Sequence, residues 1–182
     1  MIAYLVLLFA VFSRFLPHLF HSTAIGFTAV GGGLLYFGAR RSRWQAIIAV
    51  LALMATDFYL TVFAYGYAFH TSAYLVTWIW YGAICLLGHQ ILSGRPSALR
   101  VTAGVLTSAT SFFIFSDLAV WMGSAMYPHT ASGLVACYVA AIPFYANDLI
   151  STALTAGALF GLPALVRSIS QSMDEAHGNR LA

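Results

Sequence analysis

The chain has 182 residues, of which 61% are hydrophobic and 7% charged, and its mean hydropathy is +0.86. That balance excludes an ordinary soluble domain and reads as an integral membrane protein. All the basic residues are arginines in segments that flank apolar runs, so the net charge of +3 describes membrane topology rather than an acidic or nucleic-acid partner.

A membrane-crossing helix takes roughly 20 apolar residues, which leaves room for about six short spans and no separate soluble domain. Backbone groups in lipid must be paired internally, so the choice lies between helices and a closed barrel. Long unbroken apolar runs, without the alternation of barrel strands, decide for helices. The expected fold is all-α, a polytopic membrane bundle of about six transmembrane helices. Residues 1–170 would form one domain and 171–182 a polar cytoplasmic tail.

The opening stretch, MIAYLVLLFAVFSRFLPH, lacks a basic start and a small-residue cleavage site. It is expected to be a retained first span, from Ile2 to Leu16, stopped by Pro17. The second span is expected from Thr23 to Ala39, ahead of the run ARRSR; the third from Trp44 to Ala64; the fourth from Ser72 to Leu92. SGRPSALR follows as a turn, and the fifth span runs from Val101 to Met126, ending in YPHT. Gly133 to Val166 is long for one span, with Pro143 inside it. The expected solution is a partly inserted piece up to Ile142 and a true sixth span from Phe144 to Val166, with the proline in its first turn.

In this layout Arg40, Arg41, Arg43, Arg95, Arg100, Arg167 and Arg180 share one side. The positive-inside rule makes that side cytoplasmic, with both termini inside. Arg14 is the exception, on the outer side with His18, His21, His70 and His129. Asp57, Asp117 and Asp148 fall within spans three, five and six, in their outer halves. An ionised carboxylate facing lipid costs about 2.5–3.5 kcal/mol on the most lenient scale, so these side chains should face the interior or a wet cavity.

Arg14 then has candidate partners, and one outward-facing polar pocket built by Arg14, Asp57, Asp117 and Asp148 is expected, its entrance lined by the four histidines. Tyr74, Trp78 and Tyr81 recur at spacings of four and three on one face of span four, with Trp80 turned away. Trp78 and Tyr81 are the candidates to pack a flat organic ligand.

Bland roles stand beside these. Asp148 fits an N-cap of the sixth span, Asp57 and Asp117 fit hydrogen-bonding glue between helices, and the histidines and tyrosines fit interfacial polar and aromatic belts. Cys85 and Cys137 have no metal-ligand spacing and read as small buried side chains. Small residues recur four apart at Ala29 and Gly33, and at Ala153, Gly157 and Gly161, as ridges for close helix approach. No HExxH, GxSxG or histidine pair on one helix occurs, so neither an enzyme nor a resident metal or cofactor is expected.

The stretches SRFLPHLF, AIGFTAVGGGLLYFGA, SDLAVW and MYPHTASGLVACYVAAIPFYANDL resemble an uncharacterised bacterial family of small six-span membrane proteins. That family is similar in size and layout to the substrate-binding (S) components of energy-coupling factor vitamin transporters. The resemblance implies a high-affinity binder in the bacterial inner membrane, with a pocket in the outer half, docking on a transmembrane coupling protein with its ATPases.

Two departures matter. Where S components often carry an alanine-xxx-alanine docking patch on span one, Ala3 and Ala10 are seven apart here and Arg14 follows. Cobalt- and nickel-binding relatives carry histidine directly after the initiator methionine, whereas this chain reads Met1, Ile2, Ala3, which disfavours a metal substrate. The expected function is binding or transport of a small organic, vitamin-like nutrient, with a non-transporting scaffold or assembly subunit of a membrane complex as the alternative.

Overall fold

The structure, a computed structural model, describes the backbone of residues 1–19 and 27–181 and the side chains of 1–18 and 27–173. His21, expected at the entrance, lies outside the described residues. Every element among them is helical: α1 (Ile2–Ser13), α2 (Leu16–Leu19), α3 (Val30–Arg40), α4 (Ala46–Tyr59), α5 (Thr71–Leu92), α6 (Ala98–Gly123), α7 (Ala131–Ala156) and α8 (Leu162–Leu181). A 3-10 turn (Arg43–Gln45) leads into α4, a π turn (Leu60–Ala64) extends it, and a second π turn (Gly157–Gly161) joins α7 to α8.

Among the described residues, four helical segments are long and apolar enough to cross a membrane: Arg43–Ala64, Thr71–Leu92, Ala98–Gly123 and Ala131–Met173. The third, fourth and fifth expected spans match the first three of these within a few residues. The first expected span is a shorter apolar segment, Ile2–His18. The second is cut down further, because α3 has only 11 residues, about 16 Å of rise, or half of a hydrocarbon core about 30 Å thick.

Pro143 does not divide the sixth span. It sits inside α7, which runs unbroken from Ala131. The proline ring frees one carbonyl a turn earlier, a defect that membrane helices accommodate locally. A continuous apolar stretch also gains more from staying helical in lipid than from exposing a broken end. Asp148 is therefore not an N-cap. That role belongs to Thr130, whose Oγ1 accepts from Gly133 N at 3.2 Å. The polar stretch expected as a tail continues the backbone helix of α8.

Glycine sets the packing at the centre. α1 and α3 are antiparallel, with Tyr4 edge-on to Phe37 at 5.6 Å, while Ala29 N donates to Ser13 Oγ at 2.9 Å at the far end. A methyl on Gly33 would stand 2.9 Å from Ala10 Cβ. α3 and α5 come closer still, since a Cβ on Gly38 would collide with the Cys85 carbonyl and one on Gly88 with the Leu35 carbonyl. Backbone contact of this kind replaces the hydrophobic drive that lipid removes. On its other side α3 meets α7, where a Cβ on Gly32 would lie 2.7 Å from Thr155 Cβ. α3 is thus enclosed by α1, α5 and α7, with Leu34, Leu35 and Phe37 fully buried.

The arginine-rich connections share one end. Arg40 Nη1 donates to the Gly94 carbonyl at 3.1 Å, tying the α3–α4 turn to the α5–α6 turn, and Arg41 stacks over Tyr4 at 4.3 Å near the start of α1. Cys85 and Cys137 are free and buried.

Candidate functional site

Since α1 is short, it ends part-way along the bundle, and Arg14 caps it at that depth. Asp57 reaches the same level on α4 and is 1% exposed. Arg14 Nη1 donates to Asp57 Oδ1 and to Tyr81 Oη, the latter at 2.8 Å. Trp78 Nε1 donates to Asp57 Oδ2 at 2.9 Å, and Tyr81 Oη lies 3.5 Å from the same oxygen. A carboxylate this deep keeps its charge only if both oxygens are met, and here a guanidinium and an indole meet them.

The end of α4 is shaped for this site. The π turn at Leu60–Ala64 adds a residue to the helical repeat and displaces the backbone beside Asp57, a distortion often found where a helix lines a site. Thr61 Oγ1 donates back to the Asp57 carbonyl at 2.7 Å and meets Tyr74 Oη at 2.6 Å. Phe69, Tyr74 and Trp78 then stack in a ladder, with ring centroids 5.0 Å and 6.0 Å apart at its two steps. Gly66, at φ 70°, turns the chain back from α4 toward α5, a conformation that suits glycine.

These parts surround a cavity of about 410 Å3, whose wall includes Arg14, Asp57, Thr61, Tyr65, Tyr67 and Tyr74. It lies at the α4–α5 turn, away from the end that carries Arg40, Arg41 and Arg43. His18 is edge-on to Tyr65 at 5.5 Å beside it. Tyr65 and Tyr67 are exposed, so the cavity opens past them.

The four charged residues expected in one pocket occupy two. Asp117 and Asp148 line a separate cleft of about 110 Å3 between α6 and α7, with Ser116 and Tyr145. Asp148 Oδ2 is buried there without a partner. The cavity and the cleft share no lining residue. His70 lies exposed at the start of α5. His129 packs on Trp121 at 5.4 Å on the α6–α7 turn. Of the expected entrance residues, the described structure brings only His18 to the Arg14 cavity.

Trp78 and Tyr81 also take another place than expected. They hold Asp57, while Tyr65, Tyr67 and Tyr74 form the cavity wall. Trp80 faces away, as its spacing implies, donating to Ser111 Oγ at 3.0 Å and packing on Phe112 at 4.7 Å. Thr61 and Thr28, which reach the cavity, carry no sequence signal that sets them apart, and Pro17, which reaches it too, reads in the sequence only as the stop of the first span. Among the described residues, no three histidine, cysteine, aspartate or glutamate side chains gather as metal ligands do.

The profile of DUF6580, a family of unknown function, matches residues 1–173. The chain belongs to that family. No curated protein and no solved structure matches it. In this DUF6580 chain the matched region takes in both the Arg14 cavity and the Asp117–Asp148 cleft.

Proposed function

We propose that the protein binds a small organic solute in the Arg14 cavity and acts as the substrate-binding part of a solute transporter. The observation that carries this reading is the Arg14–Asp57 pair, its carboxylate buried and its guanidinium half-buried, at the base of a cavity of about 410 Å3 with tyrosine walls. That volume falls within the usual range of roughly 300–1,000 Å3 for small-molecule sites, and a few polar groups in an aromatic setting are their common chemistry. Asp57 has its oxygens committed to Arg14 and Trp78. A solute therefore meets the remaining N–H groups of Arg14, which suits a ligand that carries carbonyl or carboxylate acceptors, while the Thr61 and Tyr74 hydroxyls, whose hydrogens go to the Asp57 carbonyl and to Thr61 Oγ1, offer it lone pairs.

The arginine-rich end supports a cytoplasmic placement of the α3–α4 and α5–α6 turns and an outward-facing cavity in a bacterial inner membrane. The likeness in layout to S components supports a partner of the coupling-protein kind with ATPases. α1 is a poor docking surface for such a partner, because Ala3 and Ala10 are already buried. The exposed alternative is the α7–π turn ridge of Ala153, Gly157 and Gly161, where a Cβ at either glycine would meet nothing within 4 Å.

The same open ridge favours a second reading, an assembly subunit whose cavity is incidental. Native mass spectrometry of protein gently extracted from its host separates the two. A retained small molecule that is lost in Arg14→Gln, with the variant still folded, supports solute binding. A stable larger complex with no retained molecule, indifferent to Arg14→Gln, favours the assembly role and overturns the first.

A further inference from the structure

The arginine-rich end holds two adjoining depressions that the Arg14 cavity does not use. One is a groove of about 370 Å3 between α4 and α5, walled by Ile47, Val50, Leu51, Gly82 and Leu86. The other, about 330 Å3, is polar and includes Ser42, Arg43, His89 and Gln90. Arg43, Trp44 and Leu86 belong to both, so an apolar channel along the helices runs directly into a cationic cup at their end.

We infer that this combined site binds an anionic phospholipid, with one acyl chain in the α4–α5 groove and the phosphate in the cup against Arg43. Three observations carry it. The groove exists because Gly82 has no side chain, and its nearest potential neighbour, Val50 Cγ2, would lie 3.7 Å from an added Cβ. Nothing else among the described residues comes within 4 Å of that position, and its Ile47 and Leu51 walls are exposed.

Charge complementarity supplies the second. Arg40, Arg41, Arg43, Arg95 and Arg100 crowd this end, and among the described side chains the aspartates stand elsewhere, at positions 57, 117 and 148. The Arg14–Asp57 bridge is the ion pair among them. Arg40 is directed to the Gly94 carbonyl and Arg41 to the Tyr4 ring, while Arg43 stands exposed at the mouth of the cup, its guanidinium 5.8 Å over the Trp44 ring and its N–H groups open to a ligand. Its guanidinium suits phosphate oxygens, which it can grip with two parallel N–H donors.

The third is the surrounding chemistry. Ser42 and Gln90 add donors beside Arg43, and His89 is fixed with Nδ1 3.1 Å from the Arg41 carbonyl. Trp44, 72% exposed, sits where an indole marks the headgroup level. Basic pockets between helices at this depth recognise lipid headgroups, and each arginine contributes about 1 kcal/mol toward anionic lipid, or roughly a fivefold preference.

The test is native mass spectrometry of delipidated full-length protein titrated with phosphatidylglycerol or phosphatidylcholine of matched acyl chains. The expected result is a preference for phosphatidylglycerol of about fivefold or more. It should fall toward unity in Arg43→Gln and persist in Arg100→Gln, a cation at the same end but outside the cup. Gly82→Leu, which fills the groove, should lower phosphatidylglycerol occupancy, and soluble glycerol phosphate should compete poorly. No preference in the parent protein, an equal loss in Arg100→Gln, or full competition by glycerol phosphate would overturn the site. Both main variants alter positions with free space around them, and a monodisperse elution profile confirms that they fold.

Discussion

Arg14 and Asp57 stand 43 residues apart in sequence and meet inside the bundle, where Asp57 is 1% exposed and Arg14 22%. The asymmetry predicts unequal mutational costs. Arg14→Met strands a carboxylate with almost no access to water and should cost about 3–5 kcal/mol. Asp57→Leu strands a guanidinium that still reaches the cavity, and should cost less. The double variant should recover part of the loss. Thermal unfolding of the three proteins in one detergent, taken as a double-mutant cycle, checks the order.

Trp78 holds Asp57 through a single indole N–H. Trp78→Phe keeps the stacked ladder with Tyr74 but removes that donor from a charged acceptor, a loss of about 1.5–3 kcal/mol. Tyr74→Phe removes only the hydroxyl shared with Thr61 and should cost about 1 kcal/mol. If ligand binding is measured instead, Trp78→Phe should weaken it by misplacing Arg14. Equal stability of the two variants would show that the indole bond is not made.

Gly38 and Gly88 leave no room for a side chain at the α3–α5 contact. Gly38→Ala must push α3 off the Cys85 carbonyl and should destabilise by at least the 1–3 kcal/mol typical of overpacking. Gly157→Ala, with nothing within 4 Å of the added methyl, should leave the isolated protein unchanged or slightly more stable. Comparative melting of the two alanine variants is the check.

The division into two pockets predicts independence. Asp117→Asn and Asp148→Asn should leave binding at the Arg14 cavity within a factor of two, because the sites share no side chain and distant changes add. Asp148→Asn should not destabilise, since its buried Oδ2 has no partner to lose. A tenfold loss of affinity from either, measured by isothermal titration with an identified ligand, would join the pockets again.

Span positions three to five were legible because each is a long apolar run bounded by charge or a Gly–Pro turn, and the bilayer fixes the length such runs need. The partnership of Arg14 was legible in kind, since an arginine set apart from the others at the end of an apolar run demands a carboxylate, but three aspartates offered themselves. What singles out Asp57 is that α4 brings it to the level at which the short α1 ends, and neither segment alone specifies which helix stands beside it. Pro143 misled for a related reason. Its ring is costly in water, and lipid changes the balance in favour of an uninterrupted helix. The Gly38 and Gly88 contact escaped notice because the two residues lie on different helices, and their meeting depends on a crossing that neither segment specifies alone.

The helix begun by α7 has a mechanical consequence. From Ala131 to Met173 it counts 43 residues, about 65 Å of rise against a hydrocarbon slab roughly 30 Å thick. A rod of that length has to project from the slab, and its described far portion, from Leu162 to Met173, is exposed throughout. A few degrees of tilt within the bundle therefore become a lateral sweep of several ångströms at the far end. The π turn between Gly157 and Gly161, where Phe160 is still held against Tyr36 at 5.3 Å, is the last cross-section at which the described part of this rod is anchored in the bundle, and any such sweep pivots there.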